Sequence, residues 1–193
     1  MKVFSKFVGL IFFALLMPSI AKADVLLVDD FDDTSKPNFL GGDFGAWDKD
    51  PRDQTQFCAD SFDSDVRKGD SGYSLKLDYD VDSPNPAYNG FWMSLNDVDL
   101  RRYNSVVFHV AGSKKEGYTS QFKVEIKGQD GEIGNYLVRG ITSSWKKIVV
   151  PFRKFAGIQD WSKIREFVIV FDDVYATDKD GVIYIDDVSF QTL

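Results

Sequence analysis

The sequence predicts an all-β protein, either a β-sandwich or a β-barrel, and three observations lead to this prediction. Apolar and polar residues alternate over short segments, as where Phe122, Val124 and Ile126 are interleaved with charged residues, and a period of two is typical of half-buried strands. Such segments recur at intervals of roughly 10–15 residues. Segments with a helical period are nearly absent, and many short strands without intervening helices are typical of sandwiches and barrels.

About nine strands are predicted, and turn-forming residues separate them. A hairpin turn is expected at residues 129–132 and a break at residues 82–86, which contain two prolines. Residues 158–164 are predicted to form a single helical turn capped by Asp160. Residues 32–65 lack a clear period and are predicted to be a long functional or lid-like loop. The predicted strands cover residues 24–31, 75–79, 89–95, 105–111, 121–127, 133–141, 145–152, 166–171 and 181–190.

The N-terminal residues 1–23 have the pattern of a secretory signal peptide. Two lysines precede an apolar segment at residues 7–17, and small residues at Ala21 and Ala23 form a cleavage site. No cysteine stands at this site, so a lipid anchor is not expected. We therefore expect a secreted or periplasmic protein cleaved after Ala23, with residues 24–193 forming one β-sandwich domain that is large enough for its own core.

The charge balance restricts the partners that the protein can have. The whole chain carries a net charge of −7, with 23 basic and 30 acidic residues. Cleavage would remove three lysines, which leaves 20 basic against 30 acidic residues, a net charge of −10. A surface this acidic repels phosphate, so we expect no nucleic acid partner and no membrane insertion. Neutral ligands and divalent cations remain compatible with it.

The residue types that carry common catalytic chemistry are scarce. Cys58 is the single cysteine, so no intramolecular disulfide is expected, and a buried apolar role is the simpler interpretation of it. The single histidine, His109, makes a zinc site improbable. A retaining glycosidase needs two carboxylates about 5 Å apart, often two residues apart on one strand. Glu125 has lysines rather than acids two residues away on either side. Asp78 and Asp80 have the required spacing, but many solvated strands share it. No nucleophile elbow, zinc-protease or phosphate-loop motif occurs, so no enzyme is predicted.

Both ends of the predicted domain place acids within apolar strands. The last predicted strand contains Asp186 and Asp187 inside a β-branched segment, and the first runs into acids at residues 29–33. Adjacent strand residues point to opposite faces, so at least one of the last pair faces the packed side, where a carboxylate needs a partner. We expect the first and last strands to lie together and to share a structural calcium ion. The alternative is that these acids are solvated strand ends or turn formers.

Several segments resemble the members of one protein family. Residues 29–33 are similar to the Asp-Phe-Glu-Asp that opens these domains. The segments similar to their C-terminal half are residues 141–152, Phe155 and residues 160–164, 166–169 and 183–188. The chain thus resembles jelly-roll, galactose-binding-like modules, closest in type to family 11. The resemblance implies a two-sheet antiparallel β-sandwich that binds carbohydrate.

The resemblance also implies where the calcium ion would lie. Asp32 stands where the family often has a glutamate ligand, one methylene longer, and Asp186 or Asp187 stands where it has an aspartate. Backbone carbonyls of residues 68–71 would complete the oxygen ligands that calcium needs. The candidate metal ligands are therefore Asp30, Asp32, Ser71, Asp186 and Asp187.

The candidate sugar-binding residues lie on the polar phase of the predicted strands. Aromatic faces meet the apolar face of a sugar ring, while planar polar side chains bond its hydroxyl groups. If these residues line the concave face of a jelly roll, the resemblance implies that a glycan chain lies across them. The primary candidates are Trp92, His109, Glu125, Arg139 and Asp78, and the secondary candidates are Tyr136, Tyr88 and Trp47, the last of which would alternatively fix a loop to the core.

The resulting functional hypothesis is a secreted, non-catalytic protein that binds a polysaccharide or oligosaccharide on a calcium-stabilised jelly roll. The alternative, from another class, is a structural or adhesion domain that binds protein, and a glycoside hydrolase or lyase is the least favoured. A groove lined by aromatic residues would favour sugar, whereas a flat apolar patch would favour protein.

Overall fold

The computed structural model describes residues 24–193, so the predicted signal peptide lies outside the described residues and stays a prediction. The described chain forms eleven β-strands and two short 3-10 turns, at Gln129–Gly131 and Phe152–Lys154. None of its helical segments is long and apolar enough to cross a membrane. The strands are β1 (Val25–Asp29), β2 (Phe44–Asp48), β3 (Phe57–Asp63), β4 (Ser74–Asp80), β5 (Tyr88–Val98), β6 (Ser105–Gly112), β7 (Gln121–Lys127), β8 (Ile133–Arg139), β9 (Lys146–Pro151), β10 (Ile164–Asp172) and β11 (Asp180–Gln191).

Two antiparallel sheets pack face to face, which confirms the predicted two-sheet β-sandwich. The first sheet has the strand order β3-β4-β11-β6-β9, and β1 also pairs with β11. The second sheet has the order β2-β5-β10-β7-β8. Neighbouring strands are therefore often distant in the chain, as in a jelly roll.

The core lies between the sheets and is rich in aromatic side chains. Tyr79 of the first sheet stacks on Phe171 of the second with ring centroids 4.1 Å apart, and Phe108 meets Phe167 edge-on at 5.8 Å. Burying a phenylalanine side chain stabilises the fold by roughly 1.5–3 kcal/mol. Cys58 also packs here and is only 8% exposed, which confirms its predicted apolar role; burial raises the pKa of its thiol.

The predicted long loop at residues 32–65 is wrong, because this stretch contains β2 and β3. In β2, Phe44 is buried and packs edge-on against Phe31, with centroids 6.0 Å apart. β3 is an edge strand with acidic and exposed positions, which hide its period. β2 forms through its pairing with β5, and β3 through its pairing with β4, although the local sequence pattern of neither segment indicates a strand.

The predicted helical turn at residues 158–164 is also wrong. Of these residues, 161 and 162 form a turn and Ile164 begins β10, while the 3-10 turn lies earlier, at Phe152–Lys154. A carboxylate oxygen of Asp160 accepts the backbone N–H of Ser162 at 2.8 Å, so the aspartate caps a turn without starting a helix. One helical turn fixes several backbone dihedrals for a single hydrogen bond, which makes it weak by itself.

The first and last strands are adjacent, as expected from the sequence. β1 pairs antiparallel with β11, and Leu26 lies opposite Phe190. β11 carries a bulge, because its pairing with β6 shifts between Asp186 and Ser189. Asp187 adopts a positive φ of 51° within this bulge, and a bulge turns a side chain out of the regular alternation.

Candidate functional site

A groove crosses the outer face of the second sheet, which is the face turned away from the core. Its volume is about 520 Å³. Aromatic side chains of β2 and β5 form one wall, and charged side chains of β7 and β10 form the other. The groove is lined by Trp47, Tyr88, Trp92, Lys123, Glu125, Lys127, Ile133, Glu166, Val168, Val170 and Asp172.

The aromatic wall consists of Trp47, Tyr88 and Trp92. The rings of Trp47 and Tyr88 meet edge-on with centroids 5.9 Å apart. Gly90 pairs with Trp47 across the two strands, and a Cβ there would lie 1.9 Å from the carbonyl oxygen of Ile169. Glycine is therefore required where β5 approaches the backbone of β10 this closely.

The floor of the groove is apolar and belongs to the central strand β10. Val168 and Val170 face outward, yet they are only 2% and 4% exposed, because side chains of the neighbouring strands cover them. An apolar floor between a ring-lined wall and a polar wall is the usual composition of a small-molecule or glycan cleft.

The polar wall contains two ion pairs and one unpaired carboxylate. Lys123 and Asp172 form an ion pair at 2.8 Å between ammonium nitrogen and carboxylate oxygen, and Lys127 and Glu166 form a second at 2.8 Å. Glu125 lies between the two lysines on β7 and makes no ion pair or side-chain hydrogen bond within the described chain. It is the carboxylate that remains available to a ligand.

The strand register sets the width and length of the groove. Val168 of β10 pairs with Trp92 on one side and with Glu125 on the other. Two strand spacings therefore separate these side chains, about 10 Å. From Tyr88 to Ser94, the wall on β5 extends about 20 Å.

The structure brings four of the predicted sugar-binding residues together: Trp47, Tyr88, Trp92 and Glu125 all line the groove. Trp47 thus lies on a strand of the groove wall, where the sequence had left a loop-fixing role open. Arg139 lies on the same sheet, at the end of the edge strand β8 and opposite Gln121. It is exposed and lies beyond the residues that line the groove.

The predicted placement of three other candidates is wrong. Asp78 lies on β4 of the first sheet, opposite Val182, and burial raises the pKa of its carboxyl. His109 lies on β6 of the same sheet, with Nδ1 3.1 Å from a carboxylate oxygen of Asp187. Tyr136 is in the second sheet but packs against Phe155 of the core, with centroids 6.4 Å apart. A period of two identifies the face of a strand, but it does not identify the sheet.

Sequence reasoning missed the two valines of the floor and the two ion pairs of the polar wall. Both valines looked like ordinary core residues, since β10 is apolar on both faces. The lysines on either side of Glu125 were visible as a pattern, but their acidic partners lie on another strand. The missed groove residues are Lys123, Lys127, Ile133, Glu166, Val168, Val170 and Asp172.

A second cluster of polar residues lies where β1 and β11 meet. Asp29 and Asp186 are only 3% and 2% exposed. Burial is the main cause that raises the pKa of Asp29 to about 6 and that of Asp186 to about 7. Their carboxylates receive backbone N–H groups, from Phe31 at 2.8 Å in one case and from Lys68 at 3.1 Å in the other.

The predicted calcium ligands are only partly brought together here. The carboxylate of Asp186 accepts the backbone N–H of Lys68, and the carboxylate of Asp32 accepts the backbone N–H of Tyr73 at 3.1 Å. The loop between β3 and β4 therefore touches both carboxylates. Each carboxylate can accept more hydrogen bonds or metal contacts than it receives, so the residues fit a hard cation. Within residues 24–193, however, no group of three or more His, Cys, Asp or Glu side chains is arranged to hold a metal ion.

The structure gives the other three predicted ligands different surroundings. The carboxylate of Asp187 lies 2.8 Å from the ammonium group of Lys68 and is turned toward His109 by the bulge, so its role as a metal ligand is not supported. Asp30 accepts the backbone N–H of Asp32 at 3.2 Å. Ser71 is exposed in the loop between β3 and β4.

Comparison with known proteins identifies the family. The model of the carbohydrate-binding domain of family 11 matches residues 16–166. No curated protein matches the chain in sequence.

Solved structures show the same fold at low sequence identity. The family 11 carbohydrate-binding module of a cellulosomal cellulase of Clostridium thermocellum is 20% identical, covers 86% of this chain and 94% of its own, and superposes with a TM-score of 0.62. That module in complex with a β-1,3-1,4-mixed-linked tetrasaccharide has the same identity and coverage and a TM-score of 0.63. An exo-β-agarase is 13% identical over 86% of this chain and 25% of its own, with a TM-score of 0.59. With the family model matching over most of its length, this chain belongs to the family 11 carbohydrate-binding domains.

Proposed function

We propose that the protein binds a polysaccharide in the groove of the second sheet without cleaving it. The observation that carries this proposal is that the aromatic wall faces Glu125 across an apolar floor. The side chains of Trp92 and Glu125 are about 10 Å apart, two strand spacings. A pyranose ring of several ångströms fits this width with one face toward Trp92. The groove also favours sugar over the alternative of a protein-binding domain, since its apolar surface is narrow and recessed rather than a flat patch.

Each wall would make a different contact with the sugar. The apolar C–H face of a ring would lie on Trp92 or Tyr88, which offer large and rigid surfaces. The carboxylate of Glu125 would accept hydrogen bonds from hydroxyl groups, and bonds to a charged acceptor are the stronger kind. Lys123 and Lys127 retain donor capacity beyond their ion pairs and face the same space.

The arrangement of carboxylates supports binding rather than hydrolysis. Glycosidases generally use two carboxyl groups, about 5–9.5 Å apart, in the roles of acid and base or nucleophile. In the groove, Asp172 and Glu166 are both ion-paired with lysines. Glu125 is left without a second available carboxyl group among the residues that line the groove.

We also propose that a calcium ion stabilises the junction of β1 and β11 and that the protein is exported by its signal peptide. Asp32 and Asp186 would hold the ion together with backbone carbonyls of residues 68–71. The ion would supply the positive charge that the buried carboxylate of Asp186 lacks. This role is structural, since the junction belongs to the first sheet and the groove to the second.

The test is a binding measurement on residues 24–193 with Trp92→Ala and with the control Phe57→Ala. Phe57 is an exposed aromatic residue on β3 of the other sheet. By titration calorimetry with soluble β-1,3-1,4-glucan, and with a panel of other polysaccharides in affinity gels, Trp92→Ala should raise the Kd about 30-fold. Phe57→Ala should bind like the unmodified protein. Equal affinity of both variants, or no binding to any polysaccharide by folded protein, would refute the proposed groove.

A further inference from the structure

A second cavity, of about 400 Å³, lies beyond the Trp47 and Tyr88 end of the groove. The loop that follows β2, residues 49–56, forms one side, and the loop that precedes β5, residues 82–87, forms the other. The two sites adjoin at Lys49. Its backbone N–H donates to the carbonyl of Tyr88 at 3.2 Å, and its ammonium group lies 5.0 Å from the centre of the Tyr88 ring.

The most buried polar side chain of this cavity has an unsatisfied acceptor. Gln56 is 4% exposed, and its Nε2 donates to a carboxylate oxygen of Asp53 at 2.9 Å. Its Oε1 is buried and receives no hydrogen bond from any residue in the described part of the chain. Buried amide oxygens normally have a donor, so this amide lacks one of its ordinary partners, and turning it toward the cavity would present the oxygen to a hydroxyl group.

The walls of the cavity are held in place by hydrogen bonds between the two loops. Asp53 accepts Nδ2 of Asn85 at 3.1 Å, and the hydroxyl oxygens of Thr55 and Ser83 are 2.6 Å apart. Planar amide and carboxylate groups are thereby fixed in a formed site. A fixed site loses less conformational freedom when it binds a ligand.

The chemistry of the cavity differs from that of the groove. Its lining contains two cations, Lys49 and Arg52, two acids and two amides, but no aromatic residue. The guanidinium of Arg52 forms no ion pair within residues 24–193, so its donors are free. Recognition here would therefore rest on hydrogen bonds to hydroxyl groups, without ring stacking.

We propose that this cavity is an additional subsite, which holds the hydroxyl groups of a sugar unit at the end of a glycan that continues past Tyr88. A hydroxyl group donates to Oε1 of Gln56, and neighbouring hydroxyl oxygens accept from Arg52 and Asn85. The inference rests on the proposed function, because the glycan must occupy the groove first. It predicts that long chains bind more tightly than chains that fill only the groove.

The experiment compares a mixed-linked β-1,3-1,4 tetrasaccharide with an octasaccharide of the same linkage type. Titration calorimetry on residues 24–193 should show that the octasaccharide binds about tenfold more tightly. Arg52→Ala should remove most of this advantage. The control Arg153→Ala, which removes an exposed arginine from the 3-10 turn after β9, should retain it.

A second measurement avoids any effect of a substitution on folding. In nuclear magnetic resonance spectra of the unmodified protein, the side-chain amide signals of Gln56 and Asn85 should shift with the octasaccharide and stay in place with the tetrasaccharide. Equal affinities for the two sugars, or an advantage that persists in Arg52→Ala with unmoved amide signals, would overturn the subsite while leaving the groove intact. Failure of both sugars and of every polysaccharide to bind would overturn the proposed function and the subsite together.

Discussion

The groove and the junction of β1 and β11 both contain carboxylates, but these carboxylates have different partners and different burial. In the groove, Asp172 and Glu166 each contact a lysine at 2.8 Å. At the junction, Asp29 and Asp186 are almost fully buried, and their hydrogen bonds come from backbone N–H groups. Their pKa values are raised accordingly, mainly by burial.

This difference separates ligand binding from stabilisation. In the groove both lysines are already paired with acids, and the unpaired carboxylate of Glu125 would accept hydroxyl groups, so a neutral, hydroxylated ligand suits it. At the junction, a buried carboxyl group is stable when it is protonated or when a cation is bound beside it. The two regions can therefore be perturbed independently, and the following predictions test that independence.

The largest effect is expected from pH on the metal-free protein. The folded-state pKa values of Asp29 and Asp186 are about 6 and 7, so the folded state binds protons more tightly than the unfolded state. Protonation of these two carboxyls therefore stabilises the folded state at low pH. This contribution to the free energy of unfolding is lost as the pH rises through the two folded-state pKa values. The lowered pKa of His109 acts in the opposite sense and reduces the net change. In the presence of a chelator, the free energy of unfolding should fall on the order of 3 kcal/mol between about pH 5 and pH 8.

Urea unfolding at each pH measures this change. Carboxyls with lowered pKa values, such as Asp99 at about 2, titrate below this window and leave it undisturbed. The variant Asp186→Asn should flatten the curve, because it removes the group with the higher pKa. Stability that rises with pH in the unmodified, metal-free protein would show that the junction does not hold neutral carboxyls.

Calcium removal is expected to have the next largest effect. An ion present at a hundred times its Kd stabilises the folded state by about 2.7 kcal/mol, so a chelator should lower the Tm at neutral pH by on the order of 5–10 °C. Differential scanning fluorimetry with calcium and with chelator measures the shift. Asp32→Ala should abolish the response, whereas the matched control Asp33→Ala, at an exposed acid next to it, should keep it. An unchanged Tm in the unmodified protein would contradict the calcium proposal.

A smaller effect is expected from Glu125→Gln in the groove. Glutamine keeps the shape of the side chain but loses the charge, and a hydrogen bond to a charged group is worth about 1 kcal/mol more than a neutral one. The Kd for soluble β-1,3-1,4-glucan should rise about fivefold, as measured by titration calorimetry. Glu116→Gln, which alters an acid of the loop between β6 and β7 outside the groove, serves as the control. If both variants bind like the unmodified protein, Glu125 does not contact the sugar.

The smallest effect is expected from salt. Because the lysines of the groove are paired and the proposed ligand is neutral, raising the ionic strength from low to high values should change the Kd less than about twofold. Calorimetry at several salt concentrations measures it. A steep loss of affinity with rising salt would instead indicate a charged ligand. The groove would then depend on charge in the same way as the proposed cation site at the junction.

The sequence determined the fold class and the face of each strand. The alternation of Phe122, Val124 and Ile126 follows directly from a strand with one buried side, since successive side chains point to opposite faces. For the same reason, Trp92 and Glu125 were correctly predicted to face away from the core. The paired acids at both ends of the domain correctly indicated that the first and last strands are neighbours.

Only the tertiary structure decided which outward faces meet. β5 and β7 come to lie on either side of β10, which places Trp92 and Glu125 across one groove, whereas the strands of Asp78 and His109 belong to the other sheet. The bulge at Asp187 likewise turned a predicted metal ligand toward Lys68. The alternation is a local property, fixed by the geometry of each strand, but the strand order depends on pairing between distant segments, and a single sequence carries no direct record of it.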